Sequence, residues 1–392
     1  MLPRVKIQFL NGQLGSVGES ADGLLALIVG AAAVTTTFAL NKPYEVKSID
    51  DLAALGVTQA NNPTLYKHVK EFYDEAEVGT KLVIYGVAKA TKMTEVLDYS
   101  KSEPGYAKAL IVSMSGNLRG ILVAGLAGEG SNTDGLDKGV FDSIPLAQQL
   151  AEWATDTMFA PLFVVLEGMG YDASKTLGDL STKECNRVAV LVGDTVSGSG
   201  ACVGTLAGRI SSIPVQRNIG RVKDGSLFPS KMYLGATALD ESSAVEDIYD
   251  KGYIVPRKYV GKTGYYFCDD RLACDPTDDY AQLTARRVID KAYRLAYTAL
   301  LDELLDEIEL NEDGTLQPAV ASSWSQMVEN VINRQMTAQG ELSGTDGEGC
   351  QCYIDYAQNV VSTSRINVVL KVRPFGYSRY VDVSLGFQVT TA

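Results

Sequence analysis

Leu162-Phe-Val-Val-Leu166 sets five large apolar residues in a row, with neither a charge nor a polar alternation. A run this short, rich in β-branched and aromatic residues, suits a strand buried on both faces, as in a sheet with helices packed over it. Its surroundings repeat the theme. Phe141 to Met158, just before it, reads as a helix. Gly120 to Ala124 and, earlier, Ala109 to Ser113 are apolar and β-prone. Val188 to Val192 follows as another short apolar run, and Ala201 to Ser211 as a helix. The alternation predicts a mixed α/β (α+β) fold with a partly parallel sheet and packed helices.

Toward the N-terminus, Gly23 to Asn41 is 19 residues without a charge, close to the ~20 that span a bilayer. Its three threonines, two glycines and β-branched residues fit one or two buried strands better than a lipid-facing helix. Ile49 to Gly56 is a predicted helix capped by Ser48, Pro63 to Ala76 a second one begun by Asn62 and the proline, and Lys81 to Val87 a strand. Toward the C-terminus the longest helix is expected from near Asp278 to near Ile308, with Thr277 as its N-cap. Ala319 to Gln339 reads as a further helix, Glu341 to Gly349 as a loop, and Arg365 to Val372 as a strand.

The bulk numbers narrow the function. The 392 residues carry 35 Lys plus Arg against 48 Asp plus Glu, a net charge of −13. Acidity on that scale repels phosphate backbones and sets nucleic acid aside as a main partner. Six cysteines in so long a chain read as reduced thiols rather than a disulfide framework.

Catalytic chemistry finds little to stand on. His68 is the only histidine, in the charged helix segment Tyr66-Lys-His-Val-Lys-Glu71, and reads as a solvated surface residue. Gly198, Gly200 and Gly204 form G-x-G-x-x-x-G between a strand and a helix, one residue off the dinucleotide fingerprint. Its backbone N–H groups could cradle an anion, so a nucleotide-binding α/β enzyme is the alternative reading. Val260-Gly-Lys-Thr263 lacks the upstream glycine of a P-loop. Cys350-Gln-Cys352 has no second pair to complete a zinc site. The aspartates 269, 270, 275, 278 and 279 lack the alternation and central glycine of a calcium loop. No cofactor and no metal are expected.

The chain ends are more informative. Between Tyr377 and Val389 the odd positions, Tyr377, Arg379, Val381, Val383, Leu385, Phe387 and Val389, are apolar in all but one case, and the even positions mostly are not. Val5, Ile7 and Phe9 alternate with Arg4, Lys6 and Gln8 ahead of Asn11-Gly12 and Gly15. Each is an amphipathic strand with a set register. Each could pair within its own chain, Arg365 to Val372 being one local partner for the C-terminal strand, or add to the sheet of another subunit. A second unusual feature is Asp302, Glu303, Asp306 and Glu307, acidic residues at the expected end of the long helix, where they oppose its dipole. They read as a solvated face or as a docking patch for a basic surface.

Several segments together resemble the contractile tail sheath proteins of phages. They are Lys42 to Gly56, Asn62-Pro-Thr-Leu-Tyr66, Gly79 to Val87, Pro214 to Gly225, Gly264 to Ala273 and the closing Gly376 to Gly386. The likeness is spread over most of the chain. Where many sheath proteins carry a Trp-containing Arg-Thr-Leu signature, this chain has Asp269-Asp-Arg-Leu272. The resemblance implies an α/β sheath core with extended N- and C-terminal strand arms. It divides the chain into an N-terminal linking arm (1–20), a peripheral α/β subdomain (21–100), the core (101–375) and a C-terminal linking strand (376–392). It implies a structural, non-enzymatic subunit whose main partner is itself, in six-fold rings stacked helically around an inner tail tube protein, with a baseplate and a tail terminator at the ends. Assembly would take place in the bacterial cytoplasm and the product would be a virion tail, tailocin or related injection particle. On that reading Val5, Ile7, Phe9, Val381, Val383, Leu385, Phe387 and Val389 belong to inter-subunit strands, and Asp302, Glu303, Asp306 and Glu307 to a tube-docking patch.

Overall fold

The computed structural model describes residues 24–383 and 385, apart from 199 and 345. The chain forms two compact units, Met1–Tyr297 and Thr298–Ala392.

The first unit is built on a six-stranded sheet. Its strands are β1 (Leu24–Ala31), β2 (Pro43–Val46), β3 (Leu82–Ala88), β4 (Leu118–Ala124), β5 (Phe163–Glu167) and β6 (Val188–Leu191). Their spatial order is β2-β3-β1-β4-β5-β6, and every neighbouring pair is parallel except β2 with β3. Every residue of β5 and β6 is buried, and so is all of β1 after Leu24. Such strands need cover on both faces, which is why their sequences run apolar rather than alternate. The helices that supply the cover include α1 (Ile49–Ala54), α2 (Pro63–Glu75), α3 (Ala107–Ser113), α4 (Lys138–Asp156) and α5 (Val203–Ser211). α2 and α5 pack on each other, α2 also on β1, and α5 on β4 and β5, while α4 packs on β5 and β6.

The expected mixed α/β class and the helices begun at Ser48 and Asn62 are found. Ser48 and Asp51 form a capping box on α1. Asn62 leaves capping aside: its side chain, fully buried, bonds both the N–H and the C=O of Ala32 and fixes the chain as it leaves β1. No described helix is long and apolar enough to cross a membrane.

Two elements differ from expectation. Ala109 to Ser113 belongs to helix α3, whose Ala107, Leu110 and Ile111 fall on one buried face at helical spacing. A five-residue apolar run has no period of its own to separate helix from strand. The long helix α6 runs only from Leu283 to Leu301, about 28 Å at 1.5 Å per residue. Thr277 does not cap it. Asp275 accepts from the Thr277 N–H and hydroxyl in a loop, and the cap is Asp270, which accepts from the Thr284 N–H at 2.7 Å and also from its hydroxyl. The boundary placed at residue 100 also falls inside a compact unit, because β1 and β3 pair in one sheet with β4, β5 and β6.

Asp270 has a measurable consequence. It and Asp269 are both buried, and Asn218 Nδ2 bonds the two carboxylates at 2.7 and 2.5 Å. Burial, reinforced by the Asp269 charge and only partly offset by Thr284, pushes the Asp270 carboxyl up to about 7. A raised acid holds its proton more tightly folded than unfolded, where a carboxyl titrates near ~4. Stability is therefore expected to fall as pH rises from about 4 to about 7, and to level off above. Denaturant melts at pH 5 and pH 8 should show the lower midpoint at pH 8, and Asp270→Asn should flatten that slope.

The second unit holds α7 (Pro318–Ile332) against a hairpin of β7 (Cys350–Ile354) and β8 (Val368–Val372). Leu316, Ala321 and Ile354 centre a small core with Trp324 and Val368 against it. Cys350 and Cys352 are both buried, with the exposed Gln351 between them. The C-x-C spacing is the two-residue period of a strand.

Candidate functional site

The strand–turn–helix around Gly198–Gly204 is where a nucleotide would be held. β6 leads into the turn and α5 leaves it. The N–H groups at the helix start are already engaged. Ala201 N donates to Glu167 Oε1 at 3.2 Å, Cys202 N to the Gly193 carbonyl at 2.9 Å, Val203 N to the Ala201 carbonyl at 2.9 Å and Gly204 N to His68 Nδ1 at 3.3 Å. A Cβ on Gly200 would lie 3.0 Å from both Glu167 Oε1 and Asp194 Oδ2. Carboxylates line the turn and the N–H groups of Ala201 to Gly204 have protein acceptors, so the helix start offers a phosphate no favourable field.

His68 is not the solvated residue expected. Only 1% of it is exposed. Sequence reasoning placed it among the lysines of an amphipathic helix; the structure places it where α5 crosses α2. Gly204 permits that crossing, since a Cβ there would meet the His68 carbonyl oxygen at 2.1 Å. Glu71 and, at the end of β5, Glu167 lie near the imidazole, and Lys67 ties Glu71 to Asp194. Lys67 Nζ sits 2.6 Å from Asp194 and 3.2 Å from Glu71, and Thr195 Oγ1 donates to Glu71 at 2.5 Å. Burial alone would raise the Glu71 carboxyl; its contacts with His68, Lys67 and Thr195 outweigh that and hold it at about 2. Glu167, wholly enclosed, is raised by burial despite its bonds from Gly125 and Ala201. One sequence signal for this cluster existed: Glu167 breaks an otherwise apolar strand at its end.

The second unit carries the remaining candidates. Val381, Val383 and Leu385 are 76, 79 and 96% exposed, and residues 374–383 form no strand. The local partner expected for them, Arg365 to Val372, is engaged on one side: Val368–Val372 pairs antiparallel with Cys350–Ile354. Val5, Ile7, Phe9, Phe387 and Val389 lie outside the described residues. Asp302, Glu303, Asp306 and Glu307 follow the end of α6 rather than occupying its last turns, in turns and irregular chain where Leu305 takes φ +67°.

The geometry of the hairpin is suited to pairing. Arg373 N donates to the Gly349 carbonyl, and the strand alternation then turns the N–H groups of Leu370 and Val372 away from β7. On β7 the outward N–H of Cys352 is already taken by Glu329 Oε1 at 2.6 Å. Among the described residues the sheet has these two strands alone, so the outer edge of β8 faces no strand. A two-stranded hairpin is marginal in water and gains from a third strand.

Comparison with known proteins places the chain. Residues 2–271 match the DUF2586 N-terminal domain and residues 279–392 the DUF2586 C-terminal domain. The chain belongs to the DUF2586 family. No curated protein sequence matches it. The DUF2586 chain is similar in structure to the helical sheath of the anti-feeding prophage in its contracted state, at 14% identity and a TM-score of 0.64, over 98% of this chain and 99% of that one. It is similar to the sheath of an extracellular contractile injection system, the PVC sheath complex in its contracted state, at 15% identity and a TM-score of 0.61, over 99% and 98%. The sheath tail protein of Desulfitobacterium hafniense matches at 13% identity and a TM-score of 0.51, over 95% and 100%. This DUF2586 chain therefore has the tail sheath fold along nearly its whole length.

Proposed function

We propose that the chain is the structural sheath subunit of a contractile tail or injection particle. Copies polymerise in stacked six-fold rings around an inner tube, held by strands that cross from one subunit to the next. They then contract to drive the tube through a target envelope. The observation that carries the reading is the end-to-end likeness to contracted sheath chains. The open edge of β8 and the exposed apolar positions Val381, Val383 and Leu385 support it.

On this reading Val381, Val383, Leu385, Phe387 and Val389, with Val5, Ile7 and Phe9, supply the linking strands. Asp302, Glu303, Asp306 and Glu307 offer an acidic patch to a basic surface on the tube. Baseplate and terminator proteins close the two ends. Contraction is a change between two packings of the same subunits, driven by differential contacts rather than by a consumed nucleotide. The particle acts outside the cell that assembles it.

Val372→Pro tests the edge. Proline removes an N–H that points away from β7, so the hairpin within one subunit is expected to survive, as proline does on edge strands. The edge loses a donor for an incoming strand. The variant should melt close to the parent yet remain a monomer by sedimentation at concentrations where the parent assembles. A variant that assembles as the parent does would remove β8 from the interface.

A further inference from the structure

His68 Nδ1 lies 3.3 Å from Gly204 N, a donor, and 3.3 Å from Glu71 Oε2, an acceptor. One ring nitrogen cannot serve both. Bare, it accepts the Gly204 N–H; protonated, it donates to Glu71 and leaves that N–H without its acceptor. We propose that His68 is a proton-operated latch at the α2–α5 crossing, exchanging its Gly204 bond for a Glu71 bond on protonation.

Three observations carry this beyond the pair of distances. The ring is buried, so water is not at hand to replace whichever partner is released. Glu71 keeps two partners that favour its charge whatever the ring does, Lys67 Nζ at 3.2 Å and the Thr195 hydroxyl at 2.5 Å, so an acceptor for the protonated ring stands ready. Gly204 is in the first turn of α5, where the His68 backbone leaves no room for a Cβ, so a change in that one bond acts directly on the contact between two helices. The other charged and titratable groups facing the cluster are Lys67 on α2, Glu167 at the end of β5, Asp194 in the turn after β6 and Cys202 at the start of α5. The consequence is a helix crossing that loosens on acidification while the sheet beneath it stays intact.

A single histidine makes the test direct. The ring nitrogens of the one imidazole report its state by 15N NMR, and amide exchange reports the Gly204 bond in the same sample. At alkaline pH the ring is expected to be neutral with Nδ1 bare, and Gly204 protected. As the ring protonates, Gly204 protection, corrected for intrinsic exchange, should drop roughly tenfold, the loss of about one buried hydrogen bond. His68→Gln should abolish that pH dependence, and Glu71→Gln should shrink it without abolishing folding. A neutral ring with its proton already on Nδ1 would overturn the proposal. So would a ring that holds one protonation state down to the onset of acid unfolding, or a Gly204 amide indifferent to a ring that does titrate.

Discussion

Removal of residues 376–392 is expected to abolish assembly and to leave the folded subunit intact. The described residues of this segment are largely exposed and add no strand to either unit, so their loss takes little from the fold. In the assembled state the apolar positions Val381, Val383, Leu385, Phe387 and Val389 would be covered by a neighbour. Five such side chains contribute roughly 8–15 kcal/mol at about 1.5–3 each, with main-chain bonds adding about 0.5–1.5 kcal/mol apiece. Association itself costs an estimated 4–15 kcal/mol. The two sums are of one size, so losing the strand does not weaken the link by a step; it removes the surplus. Sedimentation velocity checks this against thermal melts of the same variant: the melting temperature should hold and the fast-sedimenting species should vanish.

The largest effect on stability is expected at Gly204. Alanine there gains up to about 1 kcal/mol in helix propensity. Against this, the new Cβ would lie 2.1 Å from the His68 carbonyl oxygen and 2.7 Å from the His68 Cα. Both are backbone atoms on the buried face of α2, and neither can rotate away. Gly208 repeats the close approach one turn on, where a Cβ would lie 2.5 Å from the Phe72 oxygen, so α2 and α5 cannot pivot apart at one point. Overpacking of this kind costs about 1–3 kcal/mol and occasionally more, and a clash with backbone belongs at the upper end. Gly204→Ala should therefore lower stability by roughly 2 kcal/mol or more in denaturant melts, a net loss despite the gain in propensity. An alanine variant as stable as the parent would mean that the helices do not meet as described.

The same two glycines show where sequence reading stops. The strands were legible because a chain buried on both faces writes itself as Leu, Val, Ile and Phe without polar interruption, as at Leu162 to Leu166. Helix starts were legible where the cap is local, as at Ser48. Neither signal reaches across the fold. The cap of α6 comes from Asp270, fourteen positions before Thr284, while the nearer Thr277, which has the residue type a cap wants, sits in an aspartate turn. His68 has lysines on either side in sequence and looked solvated. Its burial is decided by Gly204, on a helix more than a hundred residues later, whose missing side chain no local pattern connects to it. At the candidate interface the limit is different. The alternation from Val381 to Val389 states that one face wants cover, but a period of two says nothing of whose sheet supplies it. On β8 the inner edge is spent on β7, and among the described residues only the outer one is left to offer.

Negative-stain electron microscopy of the purified full chain, beside the chain lacking 376–392, tests the central claim most directly. The account predicts rings or tubes with six-fold symmetry from the full chain and dispersed monomers from the truncated one. A full chain that stays monomeric at high concentration, or tubes that form equally well without 376–392, would contradict it.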